Sequence, residues 1–187
     1  MMPYDLDVLG FMPEKELQII ARLAKLFVPE KDGVIVEVGS FCGRSAVCWA
    51  RNTDSSTTIY AYDRFAEDDI HHGQPLNTKQ EFLKNTKDYK NIIPVKGYCP
   101  ESSKYTDPRK IDLFFLDSLH MNPNDLQVLL HFLPHLKPGG LLAGHDYYSE
   151  WPDVIFNVKF LEELIGVKAI IEHTIWYIQL PPNFKIL

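Results

Sequence analysis

One rhythm dominates this chain: short, almost wholly apolar runs alternate with longer stretches whose apolar residues recur at helical spacing. The runs are VIVEVG (Val34 to Gly39), TTIYAYD (Thr57 to Asp63), IIPVKG (Ile92 to Gly97), IDLFFLD (Ile111 to Asp117) and LLAGHD (Leu141 to Asp146). Runs this apolar cannot leave one face in water, so they read as parallel strands covered by helices on both sides. Between them, the segment after Pro13 places Leu17, Ile20, Ala21, Leu23, Ala24 and Phe27 on one helical stripe. Gly43 to Arg51, Thr78 to Tyr89, Asn124 to Leu136 and Pro152 to Leu164 supply further helices, with Pro138-Gly139-Gly140 stopping the fourth region. Glu101 to Lys110 reads as a loop or short helix, and His71-His72-Gly73 as the centre of a solvated polar loop. The last two apolar runs, Val167 to Glu172 and Thr174 to Leu180, are separated only by His173. A parallel crossover needs roughly a dozen residues, so this closing pair is antiparallel or bends through one continuous strand. The pattern predicts an α/β fold: a doubly wound, mostly parallel sheet of about seven strands with the last one antiparallel.

Composition excludes several function classes. With 187 residues the chain can bury a sizeable core without disulfide or metal staples. Lys and Arg number 19 against 25 Asp and Glu, a formal charge of −6, which disfavours a nucleic-acid partner because phosphate affinity comes chiefly from cationic side chains. Cys42, Cys48 and Cys99 form no C-x-x-C pair, so neither a disulfide framework nor a zinc ribbon is expected. The first residues carry two aspartates and no long apolar run, so neither a signal peptide nor a membrane partner is expected, and the default compartment is the cytoplasm.

In doubly wound sheets, ligands bind beyond the carboxyl ends of the strands, near the point where strand order reverses. Five residues stand at such ends: Gly39, Asp63, Gly97, Asp117 and Asp146. Gly39 lets the chain turn and lets a ligand approach the backbone, and Gly43 does the same where the next helix begins. Ser45 adds a hydroxyl in the first helical turn. Asp63 ends the neighbouring strand, where a carboxylate can accept both hydroxyls of a ribose. The loop and Asp63 together make a nucleoside site. The G-x-x-x-G spacing is neither the G-x-G-x-x-G of a pyrophosphate loop nor the G-x-x-x-x-G-K-[ST] of a nucleoside triphosphatase.

Glu37-Val38-Gly39-x-x-x-Gly43-x-Ser45, Asp63 after an apolar strand, and Leu136-Lys137-Pro138-Gly139-Gly140 before the fifth strand resemble a class I S-adenosylmethionine-dependent methyltransferase. Asp117-Ser118-Leu119-His120 and Gly144-His145-Asp146-Tyr147 resemble, within that class, the small O-methyltransferases that include catechol and macrolide-sugar enzymes. The similarity spans roughly residues 30 to 180. It implies one methyltransferase domain over residues 1–187, an N-terminal helical segment (1–30) preceding a Rossmann-like core (31–187). By the same resemblance Gly39 and Gly43 line the methionine portion of the cofactor, Ser45 lies near its carboxylate and Asp63 holds the ribose. Arg64, Phe65 and Tyr98 are expected to flank the adenine, Asp117 to reach the cofactor, and Glu37 to contact the methionine amino group or brace the loop.

Methyl transfer from a sulfonium is an in-line displacement, so the protein has to position the acceptor and remove its proton. Asp117 and Asp146 end strands expected to be neighbours, and their carboxylates could share Mg²⁺ or Mn²⁺ and lower the pKa of an acceptor hydroxyl. Catechol-type relatives carry Asp-Asn or Asp-Asp where this chain has His145-Asp146, and a histidine ligand shifts preference from Mg²⁺ toward Mn²⁺. The alternative is a metal-free site in which His145 or His120 is the base. Asp117, His120 and His145 are thus the candidate catalytic residues, with Asp117 and Asp146 the candidate metal ligands. Tyr147, Tyr148 and Trp151 either wall the acceptor or cover the following helix. The expected reaction is O-methylation of a small-molecule hydroxyl, N-methylation remaining open, and family analogy adds a homodimer that completes the pocket. Two rival readings are a nicotinamide-dependent oxidoreductase, which lacks its pyrophosphate loop here, and a non-catalytic nucleoside-binding module.

Overall fold

Side-chain burial sets the layers. All six residues of Ile111–Leu116 are buried, which puts that strand at the centre of the sheet. The computed structural model describes residues 2–102 and 110–184, so most of the stretch between Glu101 and Lys110 lies outside the described residues. In chain order the elements are α1 (Glu14–Phe27), β1 (Val34–Val38), α2 (Arg44–Arg51), β2 (Thr58–Asp63), β3 (Asp69–His71), β4 (Gln74–Leu76), α3 (Thr78–Thr86), β5 (Ile92–Lys96), β6 (Ile111–Leu116), α4 (Asn124–Phe132), β7 (Leu136–Gly144), α5 (Pro152–Ile165), β8 (Ile170–Glu172) and β9 (Ile175–Gln179). The main sheet has seven strands in the order β5-β2-β1-β6-β7-β9-β8. The first five run parallel, and β9 is inserted antiparallel to both β7 and β8. This is the expected seven-stranded, mostly parallel sheet closed by an antiparallel last strand.

Two apolar clusters sandwich the sheet. One joins Leu17, Ile20 and Leu23 of α1 and Trp49 of α2 to Ile35, Leu113 and Phe115. The other joins Val128 and Phe132 of α4 and Val158 and Leu161 of α5 to Val36, Phe114 and Leu142. Alternate side chains of β1 and β6 go to opposite clusters, the two-faced burial that parallel strands require. The chain winds outward through β2 and β5 and then crosses back to β6 and β7. Strand order therefore reverses between β1 and β6, and the carboxyl ends of these two strands frame the site.

Three local expectations need correction. The fourth helix stops at Phe132 and tightens into a 3₁₀ turn over Leu133–His135, because Pro134 has no N–H to continue the ladder. Strand β7 then starts at Leu136 and runs through Pro138-Gly139-Gly140 to Gly144, with a register shift against β6 taking up the irregular residues. His145 and Asp146 consequently lie just past the strand. The loop around His71-His72-Gly73 is a two-stranded hairpin. His72 and Gly73 have φ of 49° and 76°, the two left-handed residues a tight hairpin turn of this kind requires. Among the described residues, no helix is long and apolar enough to cross a membrane.

Candidate active site

Gly39 leaves β1 with φ of +96°, and a Cβ built there would lie 1.7 Å from the carbonyl oxygen of Asp117. Only glycine lets the two strand ends come this close. The loop is pinned from beside it: Gly39 and Ser40 both donate their N–H to the Tyr62 carbonyl, at 2.8 and 3.2 Å. Glu37 braces it from beneath. Its carboxylate is fully buried and accepts from Ser40 Oγ at 2.6 Å and Trp49 Nε1 at 2.8 Å. Burial pushes its pKa up to about 7, although these hydrogen bonds pull the other way. Of the two roles expected for Glu37, the geometry matches bracing. Gly43, at φ +93°, opens α2, and the space a side chain would take is bounded by Phe82 and Thr86 of the core.

Asp63, at the end of β2, is set with both oxygens in use. Oδ2 accepts the Phe41 N–H at 2.8 Å and Oδ1 the Phe65 N–H at 2.7 Å. Each oxygen keeps a lone pair for a ligand hydroxyl. Burial raises its pKa, and the two N–H bonds oppose that rise. Asp63 lines a cavity of about 260 Å³ together with Gly39, Arg64, Gly97, Tyr98 and Asp117. Arg64 is ion-paired to Asp69 at 2.7 Å on the rim. Phe65 departs from its expected place: it is buried against Phe82 in the core and lies off the cavity wall.

A second cavity, of about 350 Å³, opens beside the first and is lined by Met12, Ser45, His145, Asp146, Tyr148 and Trp151, among others. The two share Phe11, Gly39, Phe41, Asp117 and His120. At this common wall sits a cluster of acids and imidazoles. His120 Nε2 is 2.8 Å from Asp146 Oδ2 and 3.3 Å from Asp117 Oδ1. His145 Nδ1 is 3.0 Å from Asp146 Oδ2 and 3.4 Å from Asp117 Oδ1. Burial pulls the His120 pKa down, but hydrogen bonds to the two aspartates lift it to about 9. His145 follows the same balance and is pushed up to about 12, chiefly by the Asp117 charge against its burial. The aspartates shift oppositely. Burial raises both, and the facing imidazoles outweigh it and hold both below the usual carboxylate range. Ligand atoms of Asp117, His120 and Asp146 lie within 4.8 Å of one another, a group that could hold a metal ion.

Behind the cluster stands Glu16, which sequence reasoning missed. It projects from α1, is 2% exposed, and meets His145 Nε2 at 2.8 Å. His173 Nδ1 and Thr174 Oγ1, from the turn between β8 and β9, bind its other oxygen. Burial raises its pKa, yet these partners bring it below the ordinary value. His145 therefore has a carboxylate at each ring nitrogen.

The seven-stranded sheet closed by an antiparallel strand is the Rossmann-like fold of class I S-adenosylmethionine-dependent methyltransferases. A methyltransferase-domain family matches residues 36–147, more than half of the chain, and the chain belongs to it. A comparison with curated proteins finds no match. Among solved structures, the O-methyltransferase from Bacillus cereus in complex with SAH has a TM-score of 0.63 and 15% identity, covering 92% of this chain and 84% of that one. The S-adenosylmethionine-dependent O-methyltransferase from Thermotoga maritima has a TM-score of 0.65 and 16% identity, covering 97% and 70%. Aeropyrum pernix fibrillarin, with natively bound S-adenosyl-L-methionine, has a TM-score of 0.59 and 18% identity, covering 86% and 73%. At these identities the likeness is one of fold. The family match sets aside the nicotinamide-dependent oxidoreductase.

Proposed function

We propose that this methyltransferase methylates a hydroxyl oxygen of a small molecule, with a divalent cation held by Asp117, His120 and Asp146. One observation carries the reading: these three groups converge on and beside the wall that the two cavities share. That wall is where a methyl donor in one cavity would meet an acceptor in the other.

The cofactor's sulfonium supplies the methyl group. The residues of the first cavity suit it: Asp63 offers two fixed acceptors to a vicinal diol, and the Gly39 turn leaves open backbone where a side chain would intrude. Arg64 and Tyr98 line the same cavity and on this reading would flank the adenine. The donor set of the second cavity suits a cation of Mn²⁺ type, two carboxylate oxygens and one imidazole nitrogen. Such a cation supplies Lewis acidity that makes a hydroxyl ionisable near neutral pH. Asp117 and Asp146 would hold the charge of such a cation and thereby fix the direction of an acceptor oxygen, and Tyr148 and Trp151 line the same cavity. His145, bound to carboxylates at both nitrogens, orients Asp117 and Asp146 and is not free to take a proton. This speaks against His145 as the base and leaves His120 as the imidazole of the proposed cation site.

The test follows S-adenosylhomocysteine release from S-adenosylmethionine with a catechol, a hydroxylated sugar and a primary amine as probes, in Mn²⁺, Mg²⁺ or EDTA. O-methylated product that depends on metal, and falls at least about a hundredfold in Asp117→Asn and Asp146→Asn, supports the proposal. Equal turnover in EDTA, or methylation of the amine alone, overturns it.

A further inference from the structure

We infer that Phe11, from the segment preceding α1, is a positioning residue for methyl transfer and covers the sulfur end of the bound cofactor. The inference rests on the proposed use of the shared wall as the meeting point of donor and acceptor. Of the residues common to both cavities, Phe11 is the one contributed from outside the sheet and its crossovers. Phe11 is 70% exposed, so a ligand at the junction has apolar surface to cover.

Phe11 is nonetheless held firmly. The Arg44 guanidinium donates from Nε to the Val8 carbonyl at 2.6 Å, from Nη1 to that of Met12 at 2.8 Å, and from Nη2 to that of Leu6 at 3.1 Å. Gly10 lies directly on the Arg44 stem, where an added Cβ would be 2.8 Å from Arg44 Cβ. Val8 and Met12 on either side are buried. The ring then rests on two aromatic partners, Phe41 of the cofactor loop and His71 of the β3–β4 hairpin, each with its centroid 5.3 Å away. A segment tied down at both flanks thus presents one uncovered aromatic face at the junction. A ligand spanning that junction would remove the face from water and gain affinity by doing so. Asp63, Arg64, Gly97 and Tyr98 line the first cavity alone, whereas Phe11 lines both, so the proposal puts the adenosine end at the first group and the sulfur end at the junction.

This placement separates two ligands. S-adenosylhomocysteine reaches the junction; adenosine does not. Calorimetric titration of S-adenosylhomocysteine is expected to show roughly tenfold weaker binding to Phe11→Ala than to the unchanged protein. Phe11→Leu, which keeps an apolar cover, restores most of the loss. Adenosine, followed by ligand-observed NMR, binds all three proteins alike. Equal S-adenosylhomocysteine affinity in Phe11→Ala overturns the inference, as does a parallel loss of adenosine binding, which would mean a collapsed segment. If the unchanged protein binds no S-adenosylhomocysteine, the reading of the first cavity falls, and the role of Phe11 with it.

Discussion

Replacing Glu16 by alanine tests the wiring behind the site. The substitution takes away the carboxylate that faces His145 Nε2 at 2.8 Å, and leaves His173 and Thr174 without their shared acceptor. Glu16 is 2% exposed and His145 8% exposed, so water cannot readily replace what is lost. Breaking one side of a buried, hydrogen-bonded ion pair costs about 3–5 kcal/mol. For a chain of this size each kcal/mol moves the melting midpoint by roughly 2–4 °C, so the expected fall at pH 7 is about 6–20 °C. Glu16→Gln keeps the shape and part of the hydrogen bonding and should fall between the two. The sign of the pH dependence follows from the lowered pKa of Glu16. Its contribution is present above the unfolded-state value near 4.5 and is lost as pH falls through the folded-state value, so the gap between wild type and Glu16→Ala should narrow on acidification below about 4.5. Thermal unfolding by circular dichroism from pH 3.5 to 8 measures this. A midpoint for Glu16→Ala within 2 °C of wild type at pH 7, an assumed threshold of about half a kcal/mol, would show that the buried network contributes nothing to folding.

Gly39→Ala should destabilise by roughly 3 kcal/mol or more, because the new Cβ meets the Asp117 carbonyl at 1.7 Å and the backbone keeps a left-handed φ of +96°. Urea unfolding would reveal it, and a near-wild-type midpoint would refute the close approach. Glu37 gives the opposite pH dependence to Glu16. Its folded pKa is raised to about 7 from 4.5, so its contribution is complete below 4.5 and lost as pH climbs through 7. The loss is of order 3 kcal/mol. Glu37→Gln, always neutral, should become the more stable protein relative to wild type between pH 5 and 7.5, and a constant difference across that range would count against a buried, protonated Glu37.

The parts of the fold legible in the sequence are those set by local pattern. β1 and β6 are buried on both faces, and such strands write themselves as largely apolar runs that end in a glycine or an acid, with Glu37 and Asp112 as buried exceptions inside them. Gly39, Asp63 and Asp117 were therefore visible as strand ends. Strand β7 was only half legible, since Pro138 and the glycines after it resemble a stop, and its pairing through an irregular register is settled by its neighbours. The β3–β4 hairpin left a usable signal in His72-Gly73, outweighed by the polar residues around it. Glu16 illustrates the harder case. It falls on the apolar stripe, four residues before Ile20 and seven before Leu23, and a carboxylate there does signal burial. What it binds lies 129 to 158 residues further along the chain, beyond any local pattern. Phe11 is equally opaque, because its placement comes from Arg44 and Phe41 of one distant segment and His71 of another.

The grip of Glu16 on His173 and Thr174 also ties the first helix to the closing hairpin. The acid–imidazole cluster at the cavity wall is therefore braced by the two ends of the chain at once, by α1 before the sheet and by the hairpin that closes it.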